Sequence, residues 1–222
     1  MCRAHGGDTA FGTTAWFNRR PSPPYYPNLV TLDPQASGAP ALAAIPSQGE
    51  LGIKDSFARF DLSGLGFAPL FEAQWIWREP VISAGAAPSL QWSVAETEQA
   101  LQAWEAAWWR DVQAGPPALR LFPRALLAEP GLRFLLGHRS DGTPVAGGAL
   151  MQGDGVAGLA CIFLPQGGER AAAYLELLQA AQAACPQDAL VGYESGEALH
   201  RAGEAGGFTP VGLLRVWLRR PG

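Results

Sequence analysis

Three apolar runs, LRFLLGHR (132–139), PVAGGALMQ (144–152) and VAGLACIFL (156–164), are separated only by Ser-Asp-Gly-Thr and Gly-Asp-Gly. The third runs into Gln-Gly-Gly and then into an alanine-rich stretch. Linkers this short leave neighbouring strands no course but to fold back on one another, so the runs predict an antiparallel meander. The alanine-rich stretch predicts a helix over about Glu169 to Ala184, with Tyr174, Leu177, Leu178 and Ala181 on one side and Pro186 as its stop. ALVGY, beginning at Ala189, is a short apolar strand. A crossover helix between two strands of one sheet makes them parallel, and ligands of such units gather at the strands' carboxyl ends. The Gln166-Gly167-Gly168 junction lies at that end. A helix N-terminus offers unpaired N–H groups and a partial positive charge, and glycines let a phosphate come close to the main chain. The plainer alternative is a Gly-Gly turn before a core helix.

The flanking segments complete the element order. Ser93 and Glu96 form an S-x-x-E capping pattern ahead of Leu101, Trp104, Trp108 and Val112 at helical spacing, which predicts an amphipathic helix ended by Gly115-Pro116-Pro117. A short helix is expected near Arg124 to Ala128. Downstream of ALVGY, Ser195 to Ala205 is expected as another helix, and FTPVGLLRVWLRR as a final strand or strand pair. In the N-terminal third, YYPNLVTL (25–32) and GFAPLFEAQWIW (66–77) are expected strands, separated by a segment rich in Pro, Gly and Ala.

Hydrophobic residues at 48% and charged residues at 16% fit a packed domain rather than a solvated chain. A net charge of −4 provides no basic field, so no nucleic-acid partner is expected. No segment approaches the ~20 apolar residues that span a bilayer, and no secretory leader opens the sequence, so no membrane partner and a cytoplasmic location are the expectations. Cys2, Cys161 and Cys185 have no C-x-x-C spacing and are expected reduced. Cys2 with His5 is the one close Cys/His pair, and no metal site is expected.

The order helix, three antiparallel strands, helix, strand, helix, strand resembles the GNAT superfamily of N-acetyltransferases over roughly Phe67 to Leu218. Locally, YYPNLVTL, IKDSFARFDLSGLGFAPLFEAQWI, VGYESGEAL and GFTPVGLLRVWL resemble an uncharacterised bacterial subgroup of acetyltransferase-like proteins, for which no substrate is implied. The resemblance implies an α/β fold (α+β layered) with a mixed central sheet and helices on both faces. It divides the chain into an N-terminal extension, 1–66, which completes the sheet or covers the cleft, and an acetyltransferase-like domain, 67–222. It implies acetyl-CoA as co-substrate and an unidentified amine as acceptor, and leaves a homodimer open as the assembly. Acetyl-CoA would enter where the third meander strand, through Cys161, Ile162 and Phe163, parts from ALVGY. Its diphosphate would rest on Gln166, Gly167, Gly168, Glu169, Arg170 and Ala171.

The family's Q/R-x-x-G-x-G/A loop fits in two registers. One keeps Gln166 and Ala171 and puts Glu169 at a glycine position; the other uses Ala171 and Ala173 and puts Gly168 where Gln or Arg belongs. Ser195 falls near an asparagine that some members use toward pantetheine. Many members carry a tyrosine four residues before a Gly-Phe pair, where it can protonate the leaving thiolate; counting back from Gly207-Phe208 gives Gly203, and from Gly206 gives Ala202. The candidate substitutes are Tyr193 as proton donor, Glu194 as proton acceptor and His200 as an acid/base of near-neutral reference pKa. Each has a plain alternative: a tyrosine capping the core, a solvated carboxylate at a helix start, and a surface histidine. Cys161 sits among apolar neighbours that disfavour a thiolate. Trp104 and Trp108 fit a buried stripe better than an acceptor pocket. The alternative function is a catalytically degenerate acyl-CoA-binding or interaction module of the same fold.

Overall fold

The computed structural model describes residues 1–37, 42–81, 87–112, 120–196, 201 and 203–220. The strands are β1 (Thr9–Phe11), β2 (Ala15–Asn18), β3 (Leu29–Thr31), β4 (Leu51–Asp55), β5 (Ala68–Arg78), β6 (Gln91–Val94), β7 (Leu132–His138), β8 (Pro144–Gly153), β9 (Val156–Phe163), β10 (Ala189–Glu194) and β11 (Thr209–Arg219). Two α-helices accompany them, α1 (Glu98–Val112) and α2 (Arg170–Ala184). The chain divides into two compact units, Met1–Trp75 with Gly212–Gly222, and Ile76–Val211. Strands β5 and β11 pass from one unit to the other partway along their length.

In the first unit the strand order is β1-β2-β3-β4-β11-β5. Pairs β1–β2 and β2–β3 are antiparallel, β3–β4 is parallel, and β4 meets β11 antiparallel from Asp55–Arg215 to Leu51–Arg219. Leu29, Leu51, Ile53, Phe60, Phe67 and Trp217 form its core. Buried Asp55 fixes the turn after β4 by accepting from the N–H groups of Phe57 (3.3 Å) and Phe60 (2.7 Å). A buried carboxylate needs such donors, since nothing else offsets its lost hydration.

In the second unit the order is β5-β10-β9-β8-β7-β6. The meander β7–β8–β9 is antiparallel throughout, as the short turns require. On one face α2 packs Tyr174, Leu177, Leu178 and Ala181 against Leu135, Leu150, Leu159 and Leu190. On the other, Trp104 of α1 meets Phe122, Phe134 and Phe163 edge to face at 4.8, 5.0 and 5.5 Å, and its indole N–H donates to the Leu135 carbonyl at 2.9 Å. Phe134 and Leu135 are consecutive on β7 and face opposite helices, as the pleat demands. Leu159 and Phe163 would share a face on a regular strand, but a bulge intervenes. The stretch Gly147 to Ala149 on β8 faces the longer stretch Ala160 to Phe163 on β9, and Cys161 takes a φ of +51°. One extra residue reverses the side on which the following side chains emerge.

Several expectations are corrected. Ser93 lies in β6, and the first turn of α1 is capped by the Thr97 hydroxyl, which accepts from Ala100 N–H at 3.1 Å; the Ser93–Glu96 pattern is therefore not the cap. The YYPNLVTL strand is confined to Leu29–Thr31, because Tyr25 has a φ of +67° and turns the chain before it. Of the two forms expected for the last segment, a strand or a strand pair, the structure has the single strand. Strands β1, β2, β4 and β6 were not anticipated. Residues 201 and 203–205 are helical, within the span expected from Ser195 to Ala205. The expected stop at Gly115-Pro116-Pro117 and candidate His200 lie outside the described residues.

Candidate active site

Strands β9 and β10 are adjacent and parallel, with Val156 opposite Ala189, Ala157 opposite Leu190 and Gly158 opposite Val191. The ladder records no pair beyond these, although β9 runs on to Phe163 and β10 to Glu194. The β9 bulge falls in the stretch beyond these pairs. The registered ladder between the two strands thus stops short of their carboxyl ends, and it is there that they part.

At the carboxyl end of β9 the chain turns through Gln166, makes one 3-10 turn over Gly167–Glu169 and enters α2 at Arg170. Gly167 has a φ of +80°, a conformation that a side chain would strain. A Cβ added to either Gly167 or Gly168 would meet nothing within 4 Å, so open space lies before both peptides. The charges of this turn are matched by neighbours. Glu169 pairs with Arg139 at 2.7 Å, while Asp111, at the end of α1, accepts from Gln166 Nε2 at 2.8 Å and lies 3.5 Å from Arg170. Glu169 is therefore turned to a cation rather than toward the glycines. Ala171 is exposed on the first turn of α2.

Alternation along β10 separates its last two side chains. Tyr193 is 37% exposed; partial burial and the nearby Cys161 of β9 hold its phenol above the ordinary tyrosine value. Glu194 turns the opposite way, 7% exposed, and its carboxylate accepts the hydroxyl proton of Tyr174, a residue of α2 that is 1% exposed. Burial and the adjacent carboxylate drive the Tyr174 phenol well above its usual range, so it stays a donor. The Arg78 guanidinium closes this side. It donates to the carbonyls of Gly206 (3.1 Å) and Leu178 (3.3 Å) and to Gln182 Oε1 (3.1 Å). A Cβ on Gly203 would lie 2.9 Å from Glu194 Oε2, so glycine leaves the room that the carboxylate fills.

Of the residues singled out in the sequence, Cys161, Tyr193 and Gln166 through Arg170 lie along the parting of β9 and β10 and the turn beyond it. Ile162 is half-buried, and Phe163 commits its ring to Trp104, leaving only its main chain to the cleft. Ser195 is exposed just past β10. Trp104 and Trp108 are buried. Among the described residues, no group of three His, Cys, Asp or Glu side chains could hold a metal ion. Tyr174 was missed as more than a stripe residue. Its signal was a hydroxyl on an otherwise apolar face, which requires a buried acceptor. Asp111 and Arg139 approach the turn from distant segments, and no spacing announces them.

The sequence matches no family model and no curated protein. Solved structures do resemble it. A GCN5-related N-acetyltransferase from Kribbella flavida aligns with 100% of this chain and 94% of its own at 15% identity and a TM-score of 0.65. A protein assigned to the GNAT acetyltransferase family from Novosphingobium aromaticivorans aligns with 96% of this chain and 91% of its own, at 14% identity and a TM-score of 0.60. The chain has the fold of the GCN5-related N-acetyltransferases. A functionally unknown conserved protein from Staphylococcus epidermidis also aligns, over 97% of this chain and 94% of its own, at 8% identity and a TM-score of 0.65. Identities this low carry architecture and not activity, because one fold hosts many chemistries. No helix among the described residues is long and apolar enough to cross a membrane.

Proposed function

We propose that the protein transfers an acetyl group from acetyl-CoA to an amine. The observation that supports this reading is the parting of β9 and β10 just before the Gln166–Arg170 turn, within an acetyltransferase fold. The thioester would lie between the two strands and the diphosphate against the N–H groups of Gly167 and Gly168. The amine lone pair attacks the carbonyl carbon, the C–N bond forms and the C–S bond breaks. The thiolate leaves with the bonding pair and takes the proton of Tyr193, and water takes the proton lost by the amine. A phenol held above its ordinary pKa is protonated at neutral pH, as an acid in this role must be. Polarisation of the carbonyl falls to main-chain N–H groups of β9. Cytoplasmic location and the choice of acetyl over longer acyl groups belong to the same proposal.

A binding-only reading is favoured by one observation: the Glu194 carboxylate faces inward to Tyr174 rather than toward the cleft. Calorimetry with acetyl-CoA, followed by thiol release in the presence of a panel of primary amines, separates the two. We expect binding that weakens with added salt and in Gly168→Pro, and turnover that falls roughly tenfold or more in Tyr193→Phe while binding persists. Binding without thiol release from any amine leaves the module reading. No heat at millimolar acetyl-CoA from the folded protein removes both.

A further inference from the structure

We propose that the first unit carries a binding site for a small apolar monocarboxylate, a short aliphatic or aromatic acid, with Arg219 as its anion-binding group. Such a site is separate from acetyl transfer and lies wholly within Met1–Trp75 and Gly212–Gly222. A cavity of about 310 Å³ opens beside the core of this unit. Three segments wall it: the chain between β3 and β4 through Leu42, Ala43 and Ile45, the turn before β5 through Leu65 and Phe67, and the end of β11 through Arg219. Ile45 and Phe67 are buried members of the core around Trp217, and Leu42 packs against it. Leu65 is 51% exposed, so the cavity also presents uncovered apolar surface. Small-molecule sites run from about 300 to 1,000 Å³ and are lined mostly by apolar side chains with a few placed polar groups, so a cavity of this size suits a small guest.

Among the described residues that line the cavity, Arg219 alone is charged. It follows Trp217 by two positions on β11, so the pleat brings it out on the face that Trp217 buries. Its guanidinium carbon lies 4.9 Å from the centre of the Phe67 ring, and one of its terminal nitrogens donates to the Ser47 carbonyl at 2.8 Å. Those contacts hold the guanidinium without neutralising it, since neither a carbonyl nor a ring carries a net charge. Arg215, two positions earlier, differs in being paired with Glu72. No carboxylate among the described residues pairs with Arg219 in that way. A guanidinium held at the wall of an apolar cavity, with N–H groups to spare, matches a carboxylate at the end of a hydrocarbon. The planar fork takes the two oxygens, and the cavity takes the chain or ring. A phosphate or a dicarboxylate would bring a second negative charge that no other described lining residue meets.

Titration of the full chain with hexanoate and benzoate tests the site and needs no enzymatic activity. Affinity is read by ligand-detected NMR, and location by the Arg219 Nε–H resonance, assigned with Arg219→Gln. Both acids should bind saturably and shift that resonance. Hexanamide keeps the chain without the charge and acetate keeps the charge without the chain, and each should bind roughly tenfold or more weakly than hexanoate. Arg219→Gln should weaken hexanoate by a similar factor and leave hexanamide within about twofold. Ala43→Trp fills the cavity from an exposed position, keeps the guanidinium, and should abolish hexanoate binding. Absence of saturable binding by either acid at millimolar concentration overturns the site. Equal affinity for hexanoate and hexanamide overturns it as a non-specific apolar groove, and equal affinity for hexanoate and acetate overturns it as a bare surface cation. Hexanoate binding that is unchanged in folded Arg219→Gln or in folded Ala43→Trp puts the acid elsewhere and overturns it too.

Discussion

At the scale of single residues, Gly203 is the most informative position. By its place before Gly207-Phe208 it stands where many acetyltransferases of this fold would carry a tyrosine, and restoring that residue looks like a simple repair. The structure opposes it, because a Cβ there would lie 2.9 Å from Glu194 Oε2 and 3.2 Å from Oε1. Gly203→Tyr should cost about 1–3 kcal/mol of stability and give no gain in thiol release. Pairing it with Glu194→Ala should recover part of that cost, and a double-mutant cycle by urea unfolding measures the coupling. Glu105 is another buried carboxylate, on α1, and it accepts from the N–H groups of Leu121 (2.7 Å) and Phe122 (3.3 Å). Neither requirement is written in spacing. The sequence shows a glycine and two glutamates on helices or strands, and only their distant partners reveal why each is there.

At the scale of elements, the meander, α2 and the parallel β10 were legible because each rests on local physics: short turns, a 3.6-residue stripe, and a crossover long enough to hold a helix. Strand β6 was not, since Gln91–Val94 is too short and too polar to announce itself, and the Ser93–Glu96 pair offered a false helix start. It is held instead from α2. The Glu176 carboxylate accepts from Ser89 N–H (2.8 Å), Ser89 Oγ (2.7 Å), Leu90 N–H (3.0 Å) and the Trp92 indole (3.2 Å). Burial alone would raise the pKa of Glu176, but these donors outweigh it and leave it below the ordinary value. A depressed folded pKa means that stability is present above the unfolded value of about 4.3 and is lost as pH falls through the folded one. Glu176→Gln should therefore be less stable than wild type near pH 6, with the gap closing as the pH drops below about 4. Equal stabilities at pH 6 in urea melts would show that the carboxylate charge does not hold β6. The Gln-Gly-Gly turn was legible as a place but not in its electrostatics, because Arg139 and Asp111 come from elements far away in sequence.

At the scale of the whole molecule, the contacts group Met1–Trp75 with Gly212–Gly222. A linear pattern does not reveal that the last strand returns to the first unit. Trp217, 2% exposed, belongs to the core with Leu29, Leu51 and Ile53, and its strand neighbour is β4. Trp217→Ala should cost about 3–5 kcal/mol, read by a thermal or urea melt. A loss below about 1 kcal/mol would mean that β4 keeps its packing without that ring.

This return of the chain has a consequence for how the molecule is made. A ribosome releases β4 well before β11, with residues 76–208 emerging in between. At about 5–20 residues per second the interval is on the order of ten seconds. Throughout it the β4 edge that will carry Arg215–Arg219 waits for β11, while β6 through β10 gain their neighbours as they emerge. Nascent chains arrested before residue 212 should accordingly show protease protection across the meander and not across Leu51–Asp55. A bare edge of this kind invites pairing with other chains, so the interval before β11 arrives is when the protein is most exposed to aggregation.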